Sequence, residues 1–107
     1  MSTELARKAA VETAQKVLKG ELGLIEGSIN LASLAHNLVK DWRVDPDFVV
    51  FGVISSDTGH LPIGSVRQFC SKSMLERADK EIQSMEKQYS EEAFCACRNI
   101  IARFTNA

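Results

Sequence analysis

The amino-acid sequence predicts an all-α protein: a compact bundle of three to four main helices with an irregular middle segment from about residue 44 to residue 69. Two observations lead to this prediction. Apolar residues recur at spacings of three and four along most of the chain, which is the period of an α-helix. Capping residues, glycines and prolines stand where these periodic stretches begin and end. Because 107 residues is a usual size for one domain, we expect residues 1–107 to form a single helical domain.

The first helix is predicted to begin at Ser2 or Thr3, which are good N-cap residues, and to stop at Gly20. Lys16 and Lys19 in its last turn suit the negative end of the helix dipole. The predicted buried stripe repeats every four residues: Leu5, Ala9, Thr13 and Val17.

The second helix is predicted within GELGLIEGSINLASLAHNLVKDW, residues 20–42. Its apolar residues fill two adjacent stripes, so we expect a central helix that packs on two sides. One stripe holds Leu22, Ile25, Ile29, Ala32 and Val39, and the other holds Leu24, Leu31, Leu34 and Leu38. The glycines leave two interpretations open. Gly23 and Gly27 could form a notch for a close backbone approach, or Gly20 and Gly23 could simply belong to the turn between the helices.

The middle segment is predicted to be irregular. Asp45 followed by Pro46 is a common helix start, and FVVFGVI, residues 48–54, is interpreted as a short helix that passes into extended chain. Residues 55–64 are predicted to be a loop because they contain Asp, Gly and Pro. Ser65 and Gln68 have the spacing of a capping box for one or two further turns.

The last third of the chain carries the strongest helical pattern. Ser73 and Glu76 have capping-box spacing, and the apolar positions then alternate by three and four residues as far as Phe104. The pattern predicts one helix or two nearly collinear ones, with a possible break at Ser90. Its apolar positions are Leu75, Ala78, Ile82, Met85, Tyr89, Ala93, Ala96, Ile100 and Phe104.

Composition and charge argue against several classes of protein. A net charge of −1 gives no general attraction for nucleic acid or for a membrane surface, so neither is expected as a direct partner. No apolar run reaches the roughly 18 residues of a membrane span, and the N-terminal residues are too charged for a secretory signal. Three cysteines without a framework spacing favour reduced thiols and a cytoplasmic location.

One tripeptide invites an enzymatic interpretation. Asp57-Thr58-Gly59 is the sequence that aspartic proteases place at their catalytic loop, but those loops join strands of an all-β fold, and this chain is predicted to be helical. The alternative enzyme hypothesis is a small hydrolase that uses Asp57 and His60, with Glu26 near a shared pocket. It requires the three groups to converge. We expect no enzymatic activity and no catalytic residue.

Metal and cofactor sites are not expected. Cys95 and Cys97 are two residues apart, which on a helix turns them about 200° away from each other, so one ion cannot bridge them. The cysteines are interpreted as buried thiols on the core side. His36 is interpreted as a partly buried structural residue, and Glu26 is expected to reach solvent or a cation at the edge of the apolar face.

An acidic cluster is the strongest candidate for a binding site. Between residues 41 and 60, four aspartates stand against one arginine, beside Trp42. Carboxylates around an aromatic anchor suit the binding of a basic protein surface, because charge steers the encounter and the aromatic group is buried at the contact. The predicted partner-binding residues are Asp41, Trp42, Asp45, Asp47, Asp57 and His60.

Four segments resemble small bacterial proteins that are similar to toxin-immunity proteins: VLKGELGLIEGS (17–28), DPDF (45–48), TGHLPIG (58–64) and CRNIIARF (97–104). The resemblance covers residues 17–104 and contains no catalytic motif. It implies an antitoxin-like protein that binds and occludes a secreted toxin domain, in the commonest cases a nuclease with a basic cleft. A structural or regulatory homodimer, joined through surplus apolar helix surface, is the third hypothesis.

Overall fold

The computed structural model describes residues 2–105, and four α-helices form most of this part of the chain. They are α1 (Thr3–Leu18), α2 (Leu24–Ala35), α3 (Val49–Asp57) and α4 (Lys72–Thr105). Two 3-10 turns, Trp42–Val44 and Gly64–Phe69, lie between the later helices. Residues 2–105 contain no β-strand, so the prediction of an all-α bundle is confirmed.

Helix α1 begins at the predicted cap but buries a different stripe. The Ser2 hydroxyl accepts a hydrogen bond from the Leu5 amide at 3.2 Å, as an N-cap does. Leu5 itself is 59% exposed. The buried positions are Ala6, Ala10, Ala14 and Val17, one residue along from the predicted stripe until Val17. Alanines have no bulk beyond Cβ, so this face of α1 packs closely against α4, and the larger leucine is left outside.

The turn interpretation is correct for Gly20 and Gly23, and the close-approach interpretation is correct for Gly27. Gly20 has a φ of +76°, and Gly23 is the N-cap of α2, so both belong to the turn between α1 and α2. Gly27 is a close approach inside α2, because a Cβ there would collide with Cγ2 of Val17. The turn and this contact together hold α1 against the start of α2.

Helix α2 is central, as predicted, because it packs against α1, α3 and α4. Its buried residues include Leu24, Ile25, Leu31 and Ala35. The Ser28 hydroxyl is fully buried, but it donates to the Leu24 carbonyl at 2.7 Å and so keeps its polar group paired. The helix ends at Ala35, and residues 36–41 lead into the first 3-10 turn.

The middle segment is more helical than the sequence predicted. Helix α3 continues through Ser55, Ser56 and Asp57, so the prediction of a loop from residue 55 is wrong. Thr58 closes the helix: its amide and its hydroxyl both donate to the Ile54 carbonyl, at 3.0 and 2.7 Å. The predicted capping box at Ser65 is also wrong, because the second 3-10 turn begins at Gly64 and has no side-chain cap.

Helix α4 runs unbroken for 34 residues, so Ser90 introduces no break. Its cap is Ser71 rather than Ser73, because the Ser71 hydroxyl accepts from the Met74 amide at 3.2 Å. The second half of α4 is buried at Ala93, Ala96, Cys97 and Ile100, within the same core as α1, α2 and α3. In the first half only Ala78 is fully covered. The bundle therefore encloses the second half of α4 and leaves most side chains of the first half partly or fully exposed.

Candidate functional site

Residues 45–67 run antiparallel to α4 and are joined to it by side-chain contacts along its length. The contacts progress steadily, so that increasing residue numbers in the middle segment meet decreasing numbers in α4. They are Asp45 and Asp47 with Arg103, Asp57 with Tyr89, His60 with Glu81, and Arg67 with Asp79. Four of the six predicted partner-binding residues belong to this series of contacts.

Arg103 binds the first two aspartates of this series, Asp45 and Asp47. Its Nη1 donates to both oxygens of Asp45 and to Oδ2 of Asp47, each at 3.1 Å. The aspartate side chains are only 13% and 16% exposed, which leaves them little surface for another molecule. Burial disfavours the charge on Arg103, but the hydrogen bonds that it donates to the two carboxylates outweigh this effect and raise the pKa of the guanidinium. Its guanidinium carbon also lies 5.1 Å from the centre of the Phe104 ring.

Asp57 accepts a hydrogen bond from the phenol of Tyr89 at 3.0 Å and remains exposed. This hydrogen bond to the carboxylate raises the pKa of Tyr89, and the negative charges of Asp57 and Glu92 add to the effect. Val53 stands one turn before Asp57 on the same face of α3 and is 40% exposed. Two carboxylates thus lie near the phenol where α3 meets α4, and Val53 lies one turn from Asp57 along α3.

The last two contacts hold the segment that follows α3 against α4. His60 Nε2 lies 2.7 Å from Oε1 of Glu81. Arg67 donates to both oxygens of Asp79, at 2.8 and 3.1 Å, and to the Pro62 carbonyl at 3.3 Å. All four side chains are at least 33% exposed, so water competes for both contacts and weakens them.

Asp41 and Trp42 also have internal roles. Asp41 Oδ1 accepts from the backbone amide and from Nε of Arg43, both at 3.1 Å. The side-chain bond to Arg43 is the main reason why the pKa of Asp41 is lowered. Trp42 is partly buried, with its six-membered ring lying against Gly52 of α3. Trp42 therefore closes the edge of the core rather than projecting into solvent.

The structure does not bring the groups of the alternative enzyme hypothesis into one site. Asp57 is bonded to Tyr89 and His60 to Glu81, and no hydrogen bond joins Asp57 to His60 among the side-chain bonds of residues 2–105. Glu26 lies elsewhere, with its carboxylate beside Gly64. Within the described residues, no group of three or more His, Cys, Asp and Glu side chains is arranged to hold a metal ion.

Two further expectations need correction. His36 is exposed and lines a shallow groove between α2 and α3, because α2 has already ended and the side chain follows the chain outward. Of the cysteines, only Cys97 is fully buried; Cys95 is exposed and Cys70 is intermediate. Cys95 and Cys97 point to opposite sides of α4, so only one of them can face the core. Burial raises the pKa of the Cys97 thiol to about 11.

The α4 residues that complete these contacts were not identified from the sequence as site residues. Arg103, Tyr89, Glu81 and Asp79 fit the polar and apolar pattern of a long helix, and nothing in their spacing singles them out. Arg103 lies in the last turn of α4, where a basic residue is common because it suits the helix dipole. Each partner stands 12 to 58 residues away along the chain, so only the folded arrangement pairs them.

The family described as "Protein of unknown function (DUF2489)" matches residues 11–100, which is most of the chain. The chain belongs to this family. Neither the curated proteins nor the solved structures contain a match to it. Because the description of the DUF2489 family assigns no activity, the resemblance to toxin-immunity proteins has no support from the family match. None of the described helices is both long enough and apolar enough to cross a membrane.

Proposed function

We propose that this chain is a non-catalytic binding protein that occludes a basic protein domain, as an immunity protein occludes a secreted toxin. A nuclease is the toxin class whose chemistry fits best, because its substrate cleft must be basic. The observation that carries the proposal is the group formed by Val53, Asp57, Tyr89 and Glu92, which combines exposed carboxylates with apolar surface.

The chemistry of this group suits a protein contact. Asp57 and Glu92 are exposed carboxylates with no cation bound to them among the ion pairs of the described residues. The bond from Tyr89 holds Asp57 in one place, so a cationic partner meets an ordered carboxylate. Val53 and the ring of Tyr89 supply apolar surface that a partner can cover.

The other predicted contact residues contribute less in this proposal. Asp45 and Asp47 already share Arg103 and are largely covered. Asp41 shares its charge with Arg43, although 41% of its side chain is exposed. These three aspartates therefore support the binding surface without forming it. Among the predicted contact residues, the carboxylate that no cation of residues 2–105 neutralises is that of Asp57.

A growth assay tests the function directly. Cells that express a toxin domain encoded beside this chain should survive only when the chain is expressed with it. Calorimetry of the two purified proteins should show a complex of defined stoichiometry. If the toxin domain kills in the presence of the chain, and no complex forms, the proposal is wrong.

Matched charge reversals test the proposed surface. We expect Asp57→Lys with Glu92→Lys to weaken binding of the toxin domain by about tenfold or more, because two attractive charges become repulsive. Glu4→Lys with Glu12→Lys makes the same change in net charge on the exposed side of α1 and should alter the affinity by less than about threefold. Equal losses in the two variants would assign the effect to net charge and remove this surface from the proposal.

Self-association is a second candidate, favoured by a separate observation. Phe69 is 81% exposed, and Val66 and Met74 are 49% and 48% exposed around the start of α4. Exposed apolar side chains of this size are typical of contact surfaces. Light scattering of the free protein should show a dimer that Phe69→Ser converts to a monomer, whereas a monomer at every concentration would exclude this candidate.

A further inference from the structure

Residues 60–71, which we call the strap, run beside the first half of α4 and are bound to it through His60 and Arg67. No residue of the strap is fully buried, although Thr58 just before it is 1% exposed. In the described chain, no backbone hydrogen bond joins the strap to α4 except the one from Leu75 to Ser71 at the helix start. Side-chain contacts therefore hold the strap in place.

The two side-chain pairs of the strap, His60 with Glu81 and Arg67 with Asp79, lie on opposite flanks of an apolar stripe. The stripe consists of Leu75, Ala78, Ile82 and Met85, which alternate by three and four residues. By helix geometry, Asp79 and Glu81 stand on either side of it, about 160° apart when measured across the stripe. Because Arg67 binds Asp79 and His60 binds Glu81, the strap is attached to both flanks of the stripe.

We propose that the strap detaches as a unit and uncovers a groove on α4 that binds a basic, amphipathic protein segment. The floor of the groove is the apolar stripe, and its edges are Asp79, Glu81 and Glu86. Within the chain the strap binds both edges, with the imidazole of His60 at Glu81 and the guanidinium of Arg67 at Asp79. A partner must offer the same arrangement to replace it.

The position of the strap makes its opening inexpensive compared with unfolding of the bundle. Exposed ion pairs contribute little to stability, and segments with few buried apolar contacts open locally before the core does. In α4, the second half shares its buried core with α1, whereas in the first half only Ala78 is buried. Lys80 and Lys87 project from the opposite side of α4, away from the groove.

Hydrogen exchange of the free protein tests the detachment. Amides of residues 60–71 should exchange faster than those of α1 and α2, and faster still in His60→Gln with Arg67→Met. Lys80→Gln with Lys87→Met, which removes two cations from the outer face of α4, should leave the exchange of the strap unchanged. Slow exchange of the strap that the first variant does not alter would overturn the proposal.

A synthetic helical peptide of lysine and leucine tests the groove, with a glutamate and leucine peptide of equal length as its control. The His60→Gln, Arg67→Met variant should bind the basic peptide at least about fivefold more tightly than the unaltered protein, because the strap no longer competes. Equal affinity, or no binding to either protein, would contradict the groove. The proposal shares with the proposed function only the basic character of the partner. Strap exchange is measured without a partner, so it can fail independently of the Asp57 surface.

Discussion

The indole of Trp42 lies over Gly52, with atoms Cε3, Cζ3 and Cη2 of its six-membered ring standing where a Cβ of residue 52 would be. Residue 52 is therefore a glycine for a reason of packing, even though it lies inside a helix. The contact fixes the 3-10 turn that contains Trp42 against α3 and closes one edge of the core.

Gly52→Ala should lower the free energy of unfolding by about 1–3 kcal/mol, because the added methyl displaces the indole. The loss should appear despite the better helix propensity of alanine, which is worth about 1 kcal/mol. Gly59→Ala is the matched control, since its nearest atoms would be backbone oxygens at 3.6 and 3.9 Å. Denaturant unfolding followed by the circular dichroism of the helices measures both variants, and it serves equally in a protein without Trp42. Equal stability of the two variants would contradict the contact.

In a Trp42→Ala background, the same Gly52→Ala change should cost nothing or stabilise slightly, because the obstacle has gone. The difference between the two backgrounds measures the steric contact itself. A loss of equal size in both would show that residue 52 has another constraint.

The folded arrangement decides features that the sequence pattern leaves open. Helical period and capping residues predicted the all-α bundle, a cap at Ser2 or Thr3, and a last third that is helical as one helix or two, because these features depend on neighbours within four residues. The buried stripe of α1 was mispredicted because the pattern favours the larger Leu5, whereas close packing against α4 selects Ala6. Turn propensity likewise placed the end of α3 too early, at residue 54. The helix continues to Asp57, where the contacts of Thr58 with the Ile54 carbonyl close it.

The candidate site was less predictable than the fold. Asp45, Asp47 and Asp57 were recognised as a local acidic cluster, but the sequence shows neither that Arg103 covers two of them nor that Tyr89 binds the third. Such pairs depend on the antiparallel course of the middle segment along α4. No local pattern encodes this course. The sequence therefore presents Asp45 and Asp47 as free surface carboxylates, whereas in the structure Arg103 binds both of them.

The titration of Tyr89 reports the contact with Asp57. Tyr89 is the only tyrosine, so the absorbance of its phenolate can be followed without ambiguity. Asp57→Asn should lower the pKa of Tyr89 towards the ordinary value of 10.0, although Glu92 still opposes ionisation. Because the pKa is raised in the folded protein, the contribution of this bond to stability is present at neutral pH and is lost as the pH rises through the pKa of Tyr89. An unchanged titration in the variant would exclude the bond.

Cysteine labelling tests the burial of α4. In the folded protein, iodoacetamide should modify the exposed Cys95 first and the partly covered Cys70 more slowly. Cys97 should not react, because it is fully buried and its raised pKa of about 11 keeps the thiol protonated. Mass spectrometry of peptides should find Cys97 modified only after denaturant is added. Labelling of Cys97 as fast as Cys95 under native conditions would mean that the second half of α4 is not enclosed as described.

Acidic residues of the middle segment hold it against α4, and the contact of Arg103 with Asp45 and Asp47 is the clearest example. A double-mutant cycle of Arg103→Met against Asp45→Asn with Asp47→Asn measures it through the free energy of unfolding. We predict a coupling energy of about 1–2 kcal/mol, discounted for the 39% exposure of Arg103. Strictly additive effects of the changes at the two sites would contradict the claim.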